Sequence, residues 1–324
     1  MKSLIPFLLF LSGSLRFVEI RAAAQQHADG HDRQLQDALK LYRQRDAGGA
    51  AKVLEPLLAS AVNENNSELE ALTEALLGPV YQRLGRFFDA EASYNRSISL
   101  WARLKGDNAR ELAGPLGNLG TLYFDAGQYS RAEKMISRAL EIENSSADSS
   151  RARAMLMTNL GNVYFAEHKD ALAERKGEEV LHELPPLDPD AGWGYSILGA
   201  VHLRARDFAE AERCMDQALA VWKARLNPDD ARIGNGLADL ATLYAVTNRP
   251  EKAESLFQQA NEVFQKGGNS QAFVRRSLAE YASVEKRLGH RKEATRISKE
   301  VARLAATSAE TVMSRNVIDV NAFR

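Results

Sequence analysis

The side chains able to do chemistry are few and scattered. Six histidines are present: His27, His31, His168, His182, His202 and His290. No H-E-x-x-H sets two of them on one helical face for zinc. No G-x-S-x-G raises a serine on a strained turn. Neither G-x-x-x-x-G-K-[ST] nor G-x-G-x-x-G offers a backbone cradle for phosphate. The one cysteine, Cys214, lies between Arg213 and Met215. It cannot form an intrachain disulfide or a cysteine-rich zinc site, and it reads as a buried, inert thiol. Carboxylates such as Glu210, Glu212 and Glu251 read as parts of solvated helix faces. If the chain were cleaved after Ala24, an amine, two amide nitrogens and the His27 imidazole could hold Cu(II) in a square plane. A leader is the simpler reading of that stretch. No catalytic residue, metal ligand or cofactor is assigned.

The elements that carry these residues are helical. The 324 residues are 45% hydrophobic, and acids and bases nearly cancel at a formal charge of −1. That balance argues against a strongly basic nucleic-acid surface. Gly and Pro are sparse while Ala, Leu, Glu, Arg and Gln abound, which favours an all-α protein. The N-terminus pairs Lys2 with an apolar run from Leu4 to Leu11, and Ala22-Ala23-Ala24 resembles a cleavage site. Residues 1–24 are expected to be a signal peptide or hydrophobic anchor, with a flexible leader over 25–32. A genuine signal would export the protein to a periplasm or the exterior. Otherwise it is cytoplasmic, and membrane contact comes only through an uncleaved N-terminal segment.

The strongest signal is a period. NLGTLYFDAGQY (118–129) returns as NLGNVYFAEHKD (159–170). A small residue recurs at Gly78, Gly120, Gly161, Gly199, Ala241 and Ala282, in steps of 42, 41, 38, 42 and 41. Three residues after each come Tyr81, Tyr123, Tyr164, His202, Tyr244 and Glu285. Twelve after each comes an alanine: Ala90, Ala132, Ala173, Ala211, Ala253 and Ala294. Self-similarity at this spacing indicates a solenoid. Within one unit Leu112, Leu116, Leu119, Leu122 and Tyr123 follow helical spacing, and Gly127 suits a left-handed helix end. Tyr129, Ala132, Ile136, Ala139 and Leu140 then form a second stripe. Helices joined by so short a turn must pack antiparallel. Gly120 and Ala132 are small so that the two backbones can approach.

Gly120, Tyr123, Gly127, Tyr129, Ala132, Ile136 and Ala139 together resemble the tetratricopeptide repeat, as do Gly78, Tyr81, Gly85, Phe87, Ala90 and Tyr94. The period exceeds that family's usual ~34 residues. It resembles the longer variety of about 42 residues found in kinesin light chains. The resemblance implies an all-α, right-handed superhelical solenoid of about seven antiparallel helix pairs over 33–307, with a loose tail over 308–324. Departures from the pattern carry expectations. His168 replaces the turn glycine, Asp170 replaces an aromatic, and Gly177 should weaken its helix. Pro185, Pro186 and Pro189 explain the short step of 38. Pro79 should kink its helix. Glu285 and Ser298 suit a terminal cap with a wetter face.

The resemblance further implies that first helices line a concave groove holding a peptide or protein segment. Positions offset from the packing stripe select Arg83, Asn118, Thr121, Phe124, Asp125, Asn159, Asn162, Phe165, Ser196, Arg204, Asn235, Asp239 and Thr242. Their amides could donate to and accept from peptide backbone. Alternatively Asn118 and Asn159 only tie neighbouring repeats together. The Lys/Asn/Asn/Lys/Arg set that grips a terminal carboxylate in chaperone-binding members is missing at matching positions. The expected function is a non-catalytic scaffold or adaptor for a protein or peptide partner, with self-association possible and no nucleic acid. The alternative is a peptide sensor that changes curvature on binding.

Overall fold

A computed structural model describes residues 31–145, 149–267 and 271–313, with side chains described except at 271–273, 276 and 305–313. The signal or anchor, His27, the rest of the leader up to residue 30 and residues 314–324 lie outside the described residues, while His31 and Asp32, expected in the leader, open the first described helix. Fourteen α-helices and no strand occur among the described residues. They fall into two compact units, one ending at Lys169 and the other beginning at Asp170.

The first unit contains α1 (His31–Arg43), α2 (Ala47–Asn63), α3 (Ser67–Arg83) and α4 (Phe87–Lys105). A 3-10 turn at Arg110–Leu112 leads into α5 (Ala113–Asp125), α6 (Tyr129–Asn144) and α7 (Ser150–Ala166). The second unit contains α8 (Asp170–Glu183), α9 (Ala191–Ala205), α10 (Phe208–Arg225), α11 (Ala231–Val246), α12 (Pro250–Lys266), α13 (Gln271–Arg287) and α14 (Arg291–Met313). The closest packing joins α3 to α4, α5 to α6, α9 to α10, α11 to α12 and α13 to α14. These are the expected antiparallel pairs, and the fold class is the all-α helical-repeat solenoid anticipated from the sequence.

Small residues permit this packing. A methyl group on Gly78 would lie 2.2 Å from the Tyr94 ring, and one on Gly120 would lie 2.4 Å from Ile136 Cγ1. Neither gap admits a carbon atom, so helix separation in these pairs requires glycine. Tyr94 and Ile136 are fully buried at these contacts, and Phe257 is fully buried in a cluster with Ala241. Burying a side chain such as Phe257 contributes about 1.5–3 kcal/mol.

Each pair also turns in the same way. Arg45, Gly85, Gly127, His168, Arg206, Asn248 and Gly289, which follow alternate helices, all have positive φ. The next residue's N–H donates back to the preceding helix, as from Gln128 to Tyr123 O at 2.8 Å and from Lys169 to Tyr164 O at 2.8 Å. These bonds satisfy carbonyls that the helix end leaves open. His168 therefore adopts the turn geometry of the glycine it replaces, at φ 60°.

The structure qualifies some of these expectations and corrects that for Glu285. Gly177 has a packing role: a methyl there would meet Gly194 O at 3.1 Å, and one on Gly194 would meet Gly177 O at 2.8 Å. Helices α8 and α9 thus touch backbone to backbone. Helix α3 runs through Pro79 as one element. Glu285 is buried rather than wet, while Ser298 is exposed. Helix α14 continues to Met313, past the 307 boundary read from the sequence. The proline segment does stop α8 at Glu183, and Trp222 Nε1 donates to Pro189 O at 2.9 Å to hold it. No described helix is long and apolar enough to cross a membrane.

Candidate functional site

Alternate helices stand side by side within each unit: α3, α5 and α7 in the first, α11 and α13 in the second. This neighbourhood places most residues of the expected groove in contact with the next repeat. Thr121 accepts from Asn159 Nδ2 at 3.4 Å, and its own hydroxyl donates to Gly117 O at 3.1 Å. Ser196 donates to Asp239 at 3.3 Å. Thr242 bonds to Ala238 O at 2.9 Å and meets the Glu280 carboxylate. Arg83 donates to Tyr42 O at 2.8 Å and stacks its guanidinium 3.9 Å from the Tyr42 ring centroid. Arg204 donates to Asp170 at 2.6 Å, and burial lowers its pKa from the ordinary value.

Exposure separates these residues further. Asn159, Asn162, Phe165, Ser196, Asn235, Asp239 and Thr242 are buried, as is Phe124, which packs on Tyr129. Asn118, Thr121 and Arg204 are half-buried, and Arg83 and Asp125 are exposed. The Asp125 carboxylate is exposed yet partly desolvated by its protein neighbours. That desolvation pushes it up to about 7, against a lowering hydrogen bond from Gln82 Nε2 at 3.2 Å. Gln82 in turn accepts from the buried Tyr94 hydroxyl at 3.2 Å. A chain of polar contacts therefore runs from the core of the α3–α4 pair to an accessible acid on α5.

A second constellation was not anticipated. In three repeats the tyrosine three residues after the small residue donates its hydroxyl to a glutamate of the preceding repeat. Tyr81 bonds Glu55 at 3.1 Å, Tyr123 bonds Glu91 at 2.7 Å, and Tyr244 bonds Glu212 at 2.8 Å. A cation closes each clasp. Arg86 reaches Glu55 at 2.8 Å, Arg131 reaches Glu91 at 3.1 Å, and Arg249 reaches Glu212 at 3.0 Å. Their guanidinium groups lie 4.0, 3.7 and 4.3 Å from the tyrosine ring centroids. Lys169 does the same for Glu133 at 2.9 Å and the Tyr164 ring at 5.5 Å.

The clasp shapes the ionisation of its members. Burial, then the glutamate acceptor, pushes Tyr81, Tyr123 and Tyr244 up to about 12. Burial alone would raise Glu212, yet hydrogen bonds from Arg249 and Tyr244 hold it below the usual range. Glu210 and Glu212 are consequently half-buried partners, and of the acids read as solvated only Glu251 is open. The signal was available: Glu91, Glu133, Glu212 and Glu254 each directly follow a periodic alanine.

Among the described residues, two trios could hold a metal ion. His202, Glu210 and Cys214 bring their ligand atoms within 4.8 Å of one another, as do Glu254, Glu285 and His290. Sequence spacing could show neither, because each trio spans two helices or more. Cys214 is buried as expected, and burial raises its thiol.

The family model for the tetratricopeptide repeat matches residues 69–145, 112–181 and 190–266, together more than half of the chain. No curated protein matches. Among solved structures, the apo form of RapI is 12% identical and has a TM-score of 0.65, covering 88% of this chain and 99% of its own. A Rap protein complexed with competence and sporulation factor is 13% identical at a TM-score of 0.60, with 90% and 92% covered. A tetratricopeptide repeat protein from Parabacteroides merdae is 17% identical at a TM-score of 0.60, with 87% and 97% covered. At such identities these likenesses concern the fold alone, and they agree with the period, the paired helices and the family match. The chain belongs to the tetratricopeptide repeat family.

Proposed function

We propose that this protein is a non-catalytic interaction scaffold that binds a protein or peptide segment on its first-helix face. Family membership supports the scaffold reading. The Rap protein complexed with competence and sporulation factor gives the fold, though not these residues, a precedent for holding a partner. The observation that carries the reading is Asp125. Its carboxylate is accessible, hydrogen-bonded to Gln82, and pushed up to about 7 by desolvation. No cation pairs with it among the described residues. A lysine, arginine or backbone N–H from a ligand would satisfy the ionised form. Half-buried Asn118 and Thr121 on the same helix add amide and hydroxyl contacts.

The test uses the full chain, a library of peptides with and without basic side chains, and the variant Asp125→Asn. Basic peptides are expected to bind more tightly at pH 8 than at pH 6, where the acid is mostly protonated. Asp125→Asn should weaken them about tenfold, a typical cost for losing a charged hydrogen bond. Equal affinity of wild type and variant, with equal melting, removes the proposal. Export through residues 1–24 belongs to the same proposal, and mass spectrometry of the mature N-terminus from the native host tests it.

A further inference from the structure

The last repeat occupies the clasp positions with residues that cannot close a clasp. Ala282 sets the frame. Three residues on, where Tyr81, Tyr123 and Tyr244 donate, stands Glu285. Eight residues on, where Arg86, Lys169 and Arg249 supply the cation, stands His290. Glu254, directly after Ala253, faces them as Glu91 and Glu212 face their tyrosines. A hydroxyl donor has thus become a second carboxylate, and a guanidinium has become an imidazole.

The geometry of this trio departs from a self-satisfied network. Its three ligand atoms lie within 4.8 Å of one another. The Glu285 side chain is 1% exposed, and its Oε2 meets His290 Nδ1 at 3.0 Å. Its other oxygen, Oε1, is buried without a hydrogen-bond partner. A desolvated carboxylate oxygen without a donor costs free energy, and a second carboxylate beside it adds repulsion. Burial and then the Glu285 charge raise Glu254, and the Tyr281 hydroxyl is pushed up to about 12 by burial, with both carboxylates adding. Gln258 donates to that hydroxyl at 2.9 Å. The His290 side chain is 54% exposed, which leaves an entry path.

We propose that Glu254, Glu285 and His290 form a three-ligand site for a divalent transition-metal ion of the zinc type. One imidazole nitrogen and two carboxylate oxygens suit such an ion, whereas calcium prefers six or more oxygens. The two negative charges match the ion's charge. A fourth position stays open to water. The ion gives Glu285 Oε1 the partner that the clasp tyrosine would have made unnecessary. It also ties α12 to the turn between α13 and α14. The site is independent of peptide binding at Asp125.

The test starts from the full chain stripped with a chelator. Calorimetry with Zn2+ is run on wild type, Cys214→Ser, Glu285→Gln and the double variant Glu285→Tyr/His290→Arg. The double variant rebuilds the clasp and is expected to fold, as its melting curve will show. Wild type and Cys214→Ser should bind zinc alike. Glu285→Gln and the double variant should bind at least about tenfold more weakly, the scale on which zinc sites lose affinity when their shell is altered. Cobalt as a probe should give a spectrum without a thiolate charge-transfer band. Equal binding by wild type and both altered proteins overturns the site. So does a thiolate band that vanishes in Cys214→Ser, which would place the ion at His202, Glu210 and Cys214.

Discussion

The α5–α6 pair and the α13–α14 pair share one backbone plan and differ in chemistry. Both turn through a positive-φ glycine, Gly127 or Gly289. In both, the residue after that glycine donates its N–H to the carbonyl of the clasp position, Tyr123 or Glu285. The first pair satisfies that position internally, with Tyr123, Glu91 and Arg131 bonded to one another. The last pair sets Glu285 at the tyrosine position and His290 at the Gln128 position, both facing Glu254 of α12, and Glu293 stands where Arg131 does. Repeat geometry is therefore maintained by small residues and turns. The polar positions between repeats are free to change role without altering the fold.

The largest expected effect breaks the geometry itself. Gly120→Ala places a carbon 2.4 Å from Ile136 Cγ1 and 3.2 Å from Ala132 O. Ile136 is fully buried and cannot move aside without disturbing its neighbours. Destabilisation of about 1–3 kcal/mol is expected in urea melts. The last pair already has alanine at this position. Ala282→Gly should cost only about 0.5–1 kcal/mol, through helix propensity. Equal losses at the two sites would mean that helix separation is not what distinguishes them.

That contrast also shows what the sequence could reveal. Gly120 and Ala132 were legible because close packing demands small side chains at fixed spacing, and every repeat carries the same demand. The turns were legible where glycine stood, but not at Arg45 or Arg206, since an arginine gives little sign of positive φ. The clasp is hard to read because a glutamate after the periodic alanine looks like any solvated helix position. Asn159 and Ser196 could not be sorted from ligand-binding residues, since whether an amide faces a groove or its neighbour depends on repeat separation. Burial of Glu285 was illegible for a related reason: a terminal repeat is expected to be wet, whereas α13 is packed between α12 and α14.

The next effect should change sign between the two pairs. Glu91→Ala leaves the Tyr123 hydroxyl and Arg131 without their shared acceptor. A loss of about 1–2 kcal/mol is expected, since the clasp is half-buried and charge-assisted. Glu254→Ala in chelator removes one of two neighbouring carboxylates. The expected result is no loss, or a gain of up to about 0.5 kcal/mol, the scale of exposed like-charge pairs. With zinc present the same variant should instead lose the metal-dependent rise in melting temperature. A similar loss for Glu91→Ala and Glu254→Ala without metal would show that the last pair retains a clasp after all.

The smallest expected effect is in the pH dependence, again with opposite signs. Hydrogen bonds from Arg249 and Tyr244 hold Glu212 below its usual range despite burial. Its stabilising contribution is therefore complete above the ordinary glutamate range and is lost as pH falls through the folded value. Glu254 is raised, first by burial and then by Glu285. Its contribution is present below the ordinary range and is lost as pH rises through the raised value. Both side chains retain contact with water, so screening keeps each slope shallow. Urea melts in chelator between pH 4 and pH 8 should show that Glu212→Gln makes stability fall less towards acid. Glu254→Gln should make it fall less towards neutral pH. Slopes that change in the same direction would mean that the charge around Glu254 is balanced by a group other than the proposed ion, and the distinction between the two clasps would fail.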